Sequence, residues 1–203
     1  MKNLTRTSVA LALLAGISLA GCKDNKDNTT QQQAEIHDSV YTAAGDRLVM
    51  ATFDTLRNSL ARAIGTYGVD GAIGFCNTNA LPLTNSFADT VVIRRTALRY
   101  RNPQNKPDSL EHLILSRMNL EQTPRARIIR ASGRVHYFKP IITQGMCLNC
   151  HGKPNTDITP STMASITKLY PQDLAVGFDQ GTLRGLWHVI FTMPSGSSGL
   201  PRD

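Results

Sequence analysis

The pentapeptide Cys147-Leu148-Asn149-Cys150-His151 places two thiols three positions apart and an imidazole directly after the second thiol. In a C-x-x-C-H motif the two thiols add to the vinyl groups of a haem, and the histidine reaches the iron. The short spacing lets both sulfurs meet opposite vinyl groups while the imidazole lies beneath the metal. The motif therefore predicts one covalently bound haem c, attached through Cys147 and Cys150, with His151 as an axial ligand.

Three other uses of a C-x-x-C pair fit this chain less well. A structural disulfide suits an exported protein, but it leaves the histidine after the second cysteine without a role. A thioredoxin-like redox pair opens a helix within a β-α-β unit, and no such pattern surrounds residues 143–151. A zinc half-site needs a second Cys/His pair at similar spacing, which the sequence lacks.

The first 22 residues predict export and attachment to a membrane. Lys2 and Arg6 form a positive region ahead of an apolar stretch, Val9 to Leu19. That stretch is too short to span a bilayer, which takes about 20 apolar residues. It ends in Leu19-Ala20-Gly21-Cys22, which resembles the cleavage box of bacterial lipoproteins, where the cysteine carries lipid. The anchor would then be acyl chains.

These features predict the domain organisation at the N-terminus. Residues 1–21 would be a signal peptide, Cys22 the lipidated residue, and the polar run 22–33 a flexible tether. Lys23, rather than Asp, follows the lipid-bearing cysteine, which resembles outer-membrane sorting. We therefore expect a periplasmic protein with a lipid anchor in the outer membrane. The charged run also resembles a surface-export signal, and the sequence leaves these two alternatives open.

Composition limits the class of protein and of partner. The chain has 203 residues, of which 41% are hydrophobic and 18% charged, as expected for a globular domain. Its formal charge of +7 favours acidic partners or surfaces. No Lys/Arg-rich stripe with interleaved aromatic residues occurs, so we expect no nucleic-acid partner.

Helical and strand patterns alternate over residues 34–195, which predicts an α+β domain followed by a disordered tail, residues 196–203. Apolar residues at helical spacing predict one long helix that could also pair with a second copy in a homodimer. Gly65 and Gly68 would end it. The predicted helices cover residues 34–66, 70–81, 109–120 and 159–169. The predicted strands cover residues 90–95, 126–130, 134–142 and 184–193, and we expect an antiparallel sheet of four or five strands.

Cys76 has no assigned role once Cys22, Cys147 and Cys150 are accounted for. An odd cysteine in an oxidising compartment is either a small buried hydrophobic residue or a functional thiol. As a functional thiol it would be a thiolate at the sixth position of the iron. The residues alone leave this choice open. The other sixth-ligand candidates, each of which also fits packing or the surface, are Met50, Met118, Met163, Met193, His37, His112, His136 and His188.

Four arginines occur close together in or after the first predicted strand: Arg94, Arg95, Arg99 and Arg101. If the segment is extended, its side chains alternate, and only one parity can face a haem. Arginine pairs carboxylates through two hydrogen bonds, and haem propionates are carboxylates. Arg95 and Arg99 are therefore candidate pocket residues. Tyr100 and Tyr137 are further candidates, for which packing in an aromatic core is an equally good alternative. The alternative is a solvated face with an internal ion pair to Asp108 or Glu111.

Three segments follow one another along the chain. They are Arg94 to Pro103 with its continuation to Glu111, Tyr137 to Ile141 leading into Cys147 to Gly152, and Gly177 to Gly181 followed by Arg184-Gly185. Together they resemble the small single-haem c-type cytochrome domains with a PAS-like fold, over about Asp46 to Pro194. Such domains occur free in the periplasm or as sensor parts of histidine kinases and chemotaxis receptors. The resemblance implies a PAS-like antiparallel sheet with haem held against it. It also implies His151 as proximal ligand and Cys76 as the other axial ligand.

This ligand set predicts a function. A thiolate favours ferric iron, so His/Cys ligation would give a low potential. Reduction would weaken the iron–thiolate bond, and release of Cys76 would open a site for a small gas such as CO or NO. We therefore expect a redox or gas sensor that acts through a signalling or redox partner protein. The alternative is a periplasmic electron-transfer cytochrome whose ligation stays constant. Nothing marks a distal acid–base pair, so we do not expect an enzyme.

Overall fold

The computed structural model describes residues 24–85 and 91–192, with side chains from Glu35 onward. The predicted signal peptide, Cys22, Met193 and the predicted tail lie outside the described residues. The chain divides into two compact units, residues 1–36 and 37–203. Of the first unit, the structure describes the opening turns of helix α1. No helix in the described part of the chain is long and apolar enough to cross a bilayer.

Helix α1 runs from Asp24 to Asn85 and is broken once, at Gly68. The backbone there has φ 70° and ψ 178°, a conformation that glycine adopts without steric cost. α1 therefore consists of a first segment, residues 24–67, and a second segment, residues 69–85. A break at Gly65 or Gly68 was expected, and it lies at Gly68. The second predicted helix was expected to end at residue 81, before Pro82, but the helix continues through Pro82 to Asn85.

The start of α1 differs from the expected one. The predicted flexible tether, 22–33, is helical from Asp24 onward. The polar composition suggested a spacer, yet the run from Lys23 to Ala44 contains neither glycine nor proline, so nothing in it breaks a helix.

The remaining elements follow the predicted order. The strands are β1 (Val91–Thr96), β2 (Arg127–Ala131), β3 (Arg134–Ile142) and β4 (Leu183–Thr192), and the helices are α2 (Ser109–Met118), α3 (Leu148–His151) and α4 (Pro160–Leu169). The strands form one antiparallel sheet in the order β1-β4-β3-β2. Ser132 and Gly133 join β2 to β3 with positive φ angles of 51° and 67°, as the hairpin requires. The α+β prediction is confirmed.

The two faces of the sheet are covered by different helices, because successive strand residues point to opposite sides. On one face the first segment of α1 packs through Val49 on a cluster that includes Tyr137, Trp187 and Val189. On the other face α2 packs through a cluster made of Ile114, Leu115, Met118, Phe138 and Leu186. A third cluster joins the second segment of α1 to α4, through Ile73, Ile158, Ile166 and Tyr170.

Gly45 sets how closely α1 approaches the sheet. A Cβ atom at Gly45 would overlap the ring of Tyr137, whose hydroxyl donates a 2.6 Å hydrogen bond to Asp46. We expect Gly45→Ala to lower the free energy of unfolding by about 1–3 kcal/mol, since overpacking forces neighbours to shift. Gly65→Ala is the control, because no atom lies within 4 Å of the added Cβ. It should be neutral or stabilise the helix by up to about 1 kcal/mol. Urea unfolding of both variants checks this, and equal effects would contradict the packing argument.

Candidate cofactor site

The C-x-x-C-H motif folds into a 3₁₀ turn that continues directly into α3. Residues three and four positions apart lie on the same side of a helical turn. Cys147, Cys150 and His151 therefore share one side, and all three line a single cavity, whereas Leu148 and Asn149 do not. The fold thus presents two thiols and an imidazole together.

The cavity has a volume of about 280 Å³ and lies between the motif, both segments of α1 and the sheet. The first segment of α1 contributes side chains at helical spacing: Phe53, Leu56, Leu60 and Ile64. The second segment contributes Cys76, and the sheet contributes Trp187. Ile142 and Met146 also line the cavity and are 37% and 42% exposed, so it opens to solvent beside the motif.

The imidazole of His151 is fixed through one of its nitrogens. Nδ1 lies 2.7 Å from the carbonyl oxygen of Ala175, which can only accept, so Nδ1 carries the proton. Nε2 then has a lone pair, and it makes no hydrogen bond within the described part of the chain. Burial holds the pKa of His151 well below its usual value, and the charges of Arg184 and Arg101 act in the same direction. The ring is therefore neutral, which is the form that binds a metal.

A segment after α4, residues 173–178, supports the motif from behind. The N–H groups of Gly177 and Phe178 donate to the carbonyl oxygens of Gly152 and His151, at 2.6 and 2.9 Å. The Phe178 ring meets the imidazole edge-on, with centroids 6.5 Å apart. Together with the Ala175 contact, these interactions set the position and the plane of the His151 ring.

An ion pair ties this segment to the motif. The guanidinium of Arg101 donates to both carboxylate oxygens of Asp173, at 3.1 and 3.0 Å, and to the carbonyl oxygen of Cys150 at 2.6 Å. The two side chains are only 10% and 6% exposed. No local pattern in the sequence indicates this pair, because its members lie 72 positions apart.

Cys76 lines the cavity from the second segment of α1. Burial raises the pKa of its thiol, while the charges of Arg95 and Arg101 act in the opposite direction. Burial likewise raises the pKa of Cys150, to about 11. Cys76, Cys147 and Cys150 are all free thiols, and the raised pKa values of Cys76 and Cys150 keep those two protonated at neutral pH when the cavity is empty.

The predicted pocket residues fall in different places. Arg95 lines the cavity, but Arg99 and Tyr137 do not, which corrects the expectation for both. β1 ends at Thr96, so the strand alternation stops before Arg99, whose guanidinium instead binds the carbonyl oxygens of Leu174 and Val176. Tyr137 is buried in the core, where its hydroxyl donates a hydrogen bond to Asp46 of α1. Tyr100, the other tyrosine that the sequence offered, does line the cavity.

The other side of the sheet holds a buried polar chain. His188 Nδ1 lies 2.8 Å from Glu111, and its Nε2 lies 2.9 Å from Nδ1 of His136. Arg94 makes an ion pair with Glu111 at 2.9 Å, which is the internal pairing that the sequence offered as an alternative. Among the sixth-ligand candidates that the structure describes, only Cys76 lines the cavity; those that do not are Met50, Met118, Met163, His37, His112, His136 and His188.

Together, the fold and the cavity define a class: an α+β domain with a long N-terminal helix, in which a C-x-x-C-H turn and a helix cysteine line one cavity. The chain belongs to the Tll0287-like family, whose model matches residues 26–192. It is similar to a solved structure, the crystal structure of the cyanobacterial heme-protein Tll0287. The match has 25% sequence identity and a TM-score of 0.52, and covers 76% of this chain and 95% of that one. No curated protein is similar enough to the chain to count as a relative.

Proposed function

We propose that this protein holds one covalent haem c and works as a low-potential redox or gas sensor rather than as an enzyme. The observation that carries the proposal is that both motif thiols, the His151 imidazole and the Cys76 thiol line the same cavity. The similarity to a cyanobacterial heme-protein supports the choice of cofactor.

The residues of the cavity fit a haem in donor set and in surroundings. Cys147 and Cys150 would form the two thioether bonds, and the neutral Nε2 of His151 would be the proximal ligand. The α1 side chains supply an apolar wall, as a porphyrin face requires. The Nε atom of Arg184, which also lines the cavity, is buried without a hydrogen-bond partner in the described part of the chain.

Bound haem would supply a one-electron couple and, with one axial position open, a site for CO or NO. His151 would stay in place, because Ala175 and Phe178 hold its ring. Cys76 would be the ligand that leaves, since α3 fixes the histidine while Cys76 belongs to a separate helix segment that follows the break at Gly68. Its movement would shift the second segment of α1 and so change the surface offered to a partner protein.

The N-terminal sequence supports the rest of the proposal. We place the protein in the periplasm, lipidated at Cys22 and anchored in the outer membrane. Pairing of two copies through α1 remains a prediction. A second candidate function, electron transfer, is favoured by the exposed Ile142 and Met146, which give a redox partner access beside the motif.

The absorption spectrum of the haem-loaded protein, oxidised and then reduced, tests the proposal when it is run beside Cys76→Ser. We expect low-spin thiolate character in the oxidised wild type and its loss in the variant. Thr78→Ser, at an exposed position two residues further along α1, is the control and should leave the spectrum unchanged. Coinciding wild-type and Cys76→Ser spectra would favour the electron carrier. Reduced protein that stays six-coordinate and ignores CO would rule out gas sensing.

A further inference from the structure

Two arginines that are not exposed line the cavity without a carboxylate partner in the described residues. Arg95, on β1, donates to Thr84 Oγ1 at 3.0 Å and to the Ala80 carbonyl at 3.1 Å. Arg184, on β4, donates from one terminal nitrogen to the Arg99 carbonyl at 3.0 Å, while its Nε atom is buried and unpartnered. Both side chains reach the cavity, so both present a positive charge to it.

The neighbouring charges do not neutralise this pair. Asp173 is near Arg184 but is already paired with Arg101. Burial lowers the pKa of Arg184 to about 10, and the nearby guanidinium groups of Arg101 and Arg95 add to that effect. A buried cation without a counter-charge is costly to a folded protein. The cavity is therefore built with an excess of positive charge that an anionic ligand would relieve.

The two arginines are held by different elements that line the cavity. Arg95 donates to Thr84 and Ala80 of the second segment of α1, the segment that carries Cys76. The guanidinium of Arg184 lies 4.9 Å from the centroid of the Phe178 ring, which meets the His151 imidazole edge-on beside the motif. A ligand lying between the motif and Cys76 would thus have a guanidinium near each.

We propose that Arg95 and Arg184 together bind the two carboxylates of one planar dianionic ligand, the propionate groups of the porphyrin. This inference rests on the proposed function. Guanidinium groups suit the role because their planar fork donates two parallel hydrogen bonds to a carboxylate. The assignment moves propionate binding away from Arg99, which the sequence suggested, to Arg184, for which the sequence indicated a family resemblance but no pocket role.

Arg57 is the competing candidate. It also lines the cavity, but its side chain is exposed on α1. Water already solvates an exposed guanidinium, so a carboxylate gains little by pairing with it. The buried pair should therefore contribute far more of the affinity.

Binding of two metal-free porphyrins to the reduced, full-length chain made without haem attachment tests the proposal. Mesoporphyrin IX keeps both carboxylates but has no vinyl groups, so it cannot form thioethers. Its dimethyl ester has the same ring without the charges. Porphyrin fluorescence gives the dissociation constants. We expect the wild type to prefer the diacid over the ester by at least about ten-fold, because each charge-assisted hydrogen bond contributes about that much.

Variants assign the preference to residues. Arg95→Gln and Arg184→Gln should each weaken diacid binding about ten- to a hundred-fold and leave ester binding nearly unchanged. Arg184→Lys keeps the charge, so it should retain part of the preference even if the glutamine variant folds poorly. Arg57→Gln is the control and should behave as the wild type does.

Each remaining outcome overturns the assignment. Equal binding of diacid and ester by the wild type would disprove carboxylate recognition while leaving a porphyrin site in place. A preference that Arg57→Gln abolishes, and that both buried-arginine variants retain, would move the contact to the helix surface. Failure to bind either porphyrin would overturn the proposed function as well.

Discussion

Asp173→Asn is expected to lower the free energy of unfolding by about 3–5 kcal/mol, because it leaves the buried guanidinium of Arg101 without its carboxylate. The ion pair also positions the C-x-x-C-H motif. Arg101 holds the Cys150 carbonyl, and Asp173 Oδ1 accepts a 2.8 Å hydrogen bond from the N–H of Ala175, whose carbonyl fixes His151. We therefore expect the variant to loosen the motif as well as to destabilise the fold.

Urea unfolding measures the first effect, and amide hydrogen exchange at Gly152 and Phe178 measures the second. Both amides donate hydrogen bonds between the motif and the 173–178 segment, so their protection should fall. Glu121→Gln is the matched control, since it breaks a more exposed ion pair, with Arg127. Such pairs contribute about 1 kcal/mol or less. Similar losses in the two variants would mean that the buried pair has no special role.

Glu111→Gln is expected to lower the free energy of unfolding by about 1–3 kcal/mol at neutral pH, because it removes a buried carboxylate to which polar groups on the α2 side of the sheet donate. Nδ1 of His188 lies 2.8 Å from Glu111, and Nε of Arg94 lies 2.9 Å from it. Nε2 of His188 lies 2.9 Å from Nδ1 of His136, whose Nε2 lies 3.3 Å from the Ala131 carbonyl. Loss of the carboxylate therefore leaves the buried Nδ1 of His188 without its partner.

This arrangement makes stability depend on pH in a defined direction. Burial alone would raise the pKa of Glu111, but the hydrogen bonds from His188 and from the Asp108 backbone, with the charge of Arg94, lower it overall from 4.5. Its stabilisation is therefore fully present above about pH 4.5 and is lost as pH falls through the lowered value. Burial also lowers the pKa of His136 from 6.5, so stability already declines as pH falls below that value.

Urea midpoints measured from pH 7 to pH 3 check both parts of this prediction. The wild type should lose stability in two stages. Glu111→Gln should reduce the lower one, leaving the share that comes from the lowered pKa of Asp46, and should retain the decline below pH 6.5. Glu121→Gln makes the same chemical change at an exposed carboxylate and should keep both stages. If Glu111→Gln lost as much stability at low pH as the wild type does, the buried carboxylate would not be the source of that loss.

The sequence predicted local features well because local patterns encode them. The Ser132-Gly133 hairpin signal and the strand-forming residues after it located β3 to the residue. The C-x-x-C-H spacing predicted that both thiols and the imidazole act on one haem. A strand pattern cannot specify which of its faces meets which helix, and that is why the sequence left Tyr137 open between the pocket and the core.

Long-range pairs explain the other misses. Arg101 and Asp173, like Glu111 and His188, become partners only when distant segments pack together. Arg184 belonged to the family resemblance, but nothing in the sequence assigned it to the pocket, because its unpartnered Nε atom is a property of the folded cavity. Which charged groups are paired depends on three-dimensional packing, so it cannot be predicted from the spacing of residues in the sequence.

Trp187 is the only tryptophan of the chain, and the fold places it against the cavity that Cys76 and His151 share. The protein thus contains one intrinsic fluorophore, located where a coloured ligand would quench it by energy transfer. Its emission distinguishes filled from empty molecules in a mixed preparation without any added label. It also separates loss of the ligand from loss of the fold, since an empty but intact cavity keeps a buried, blue-shifted indole.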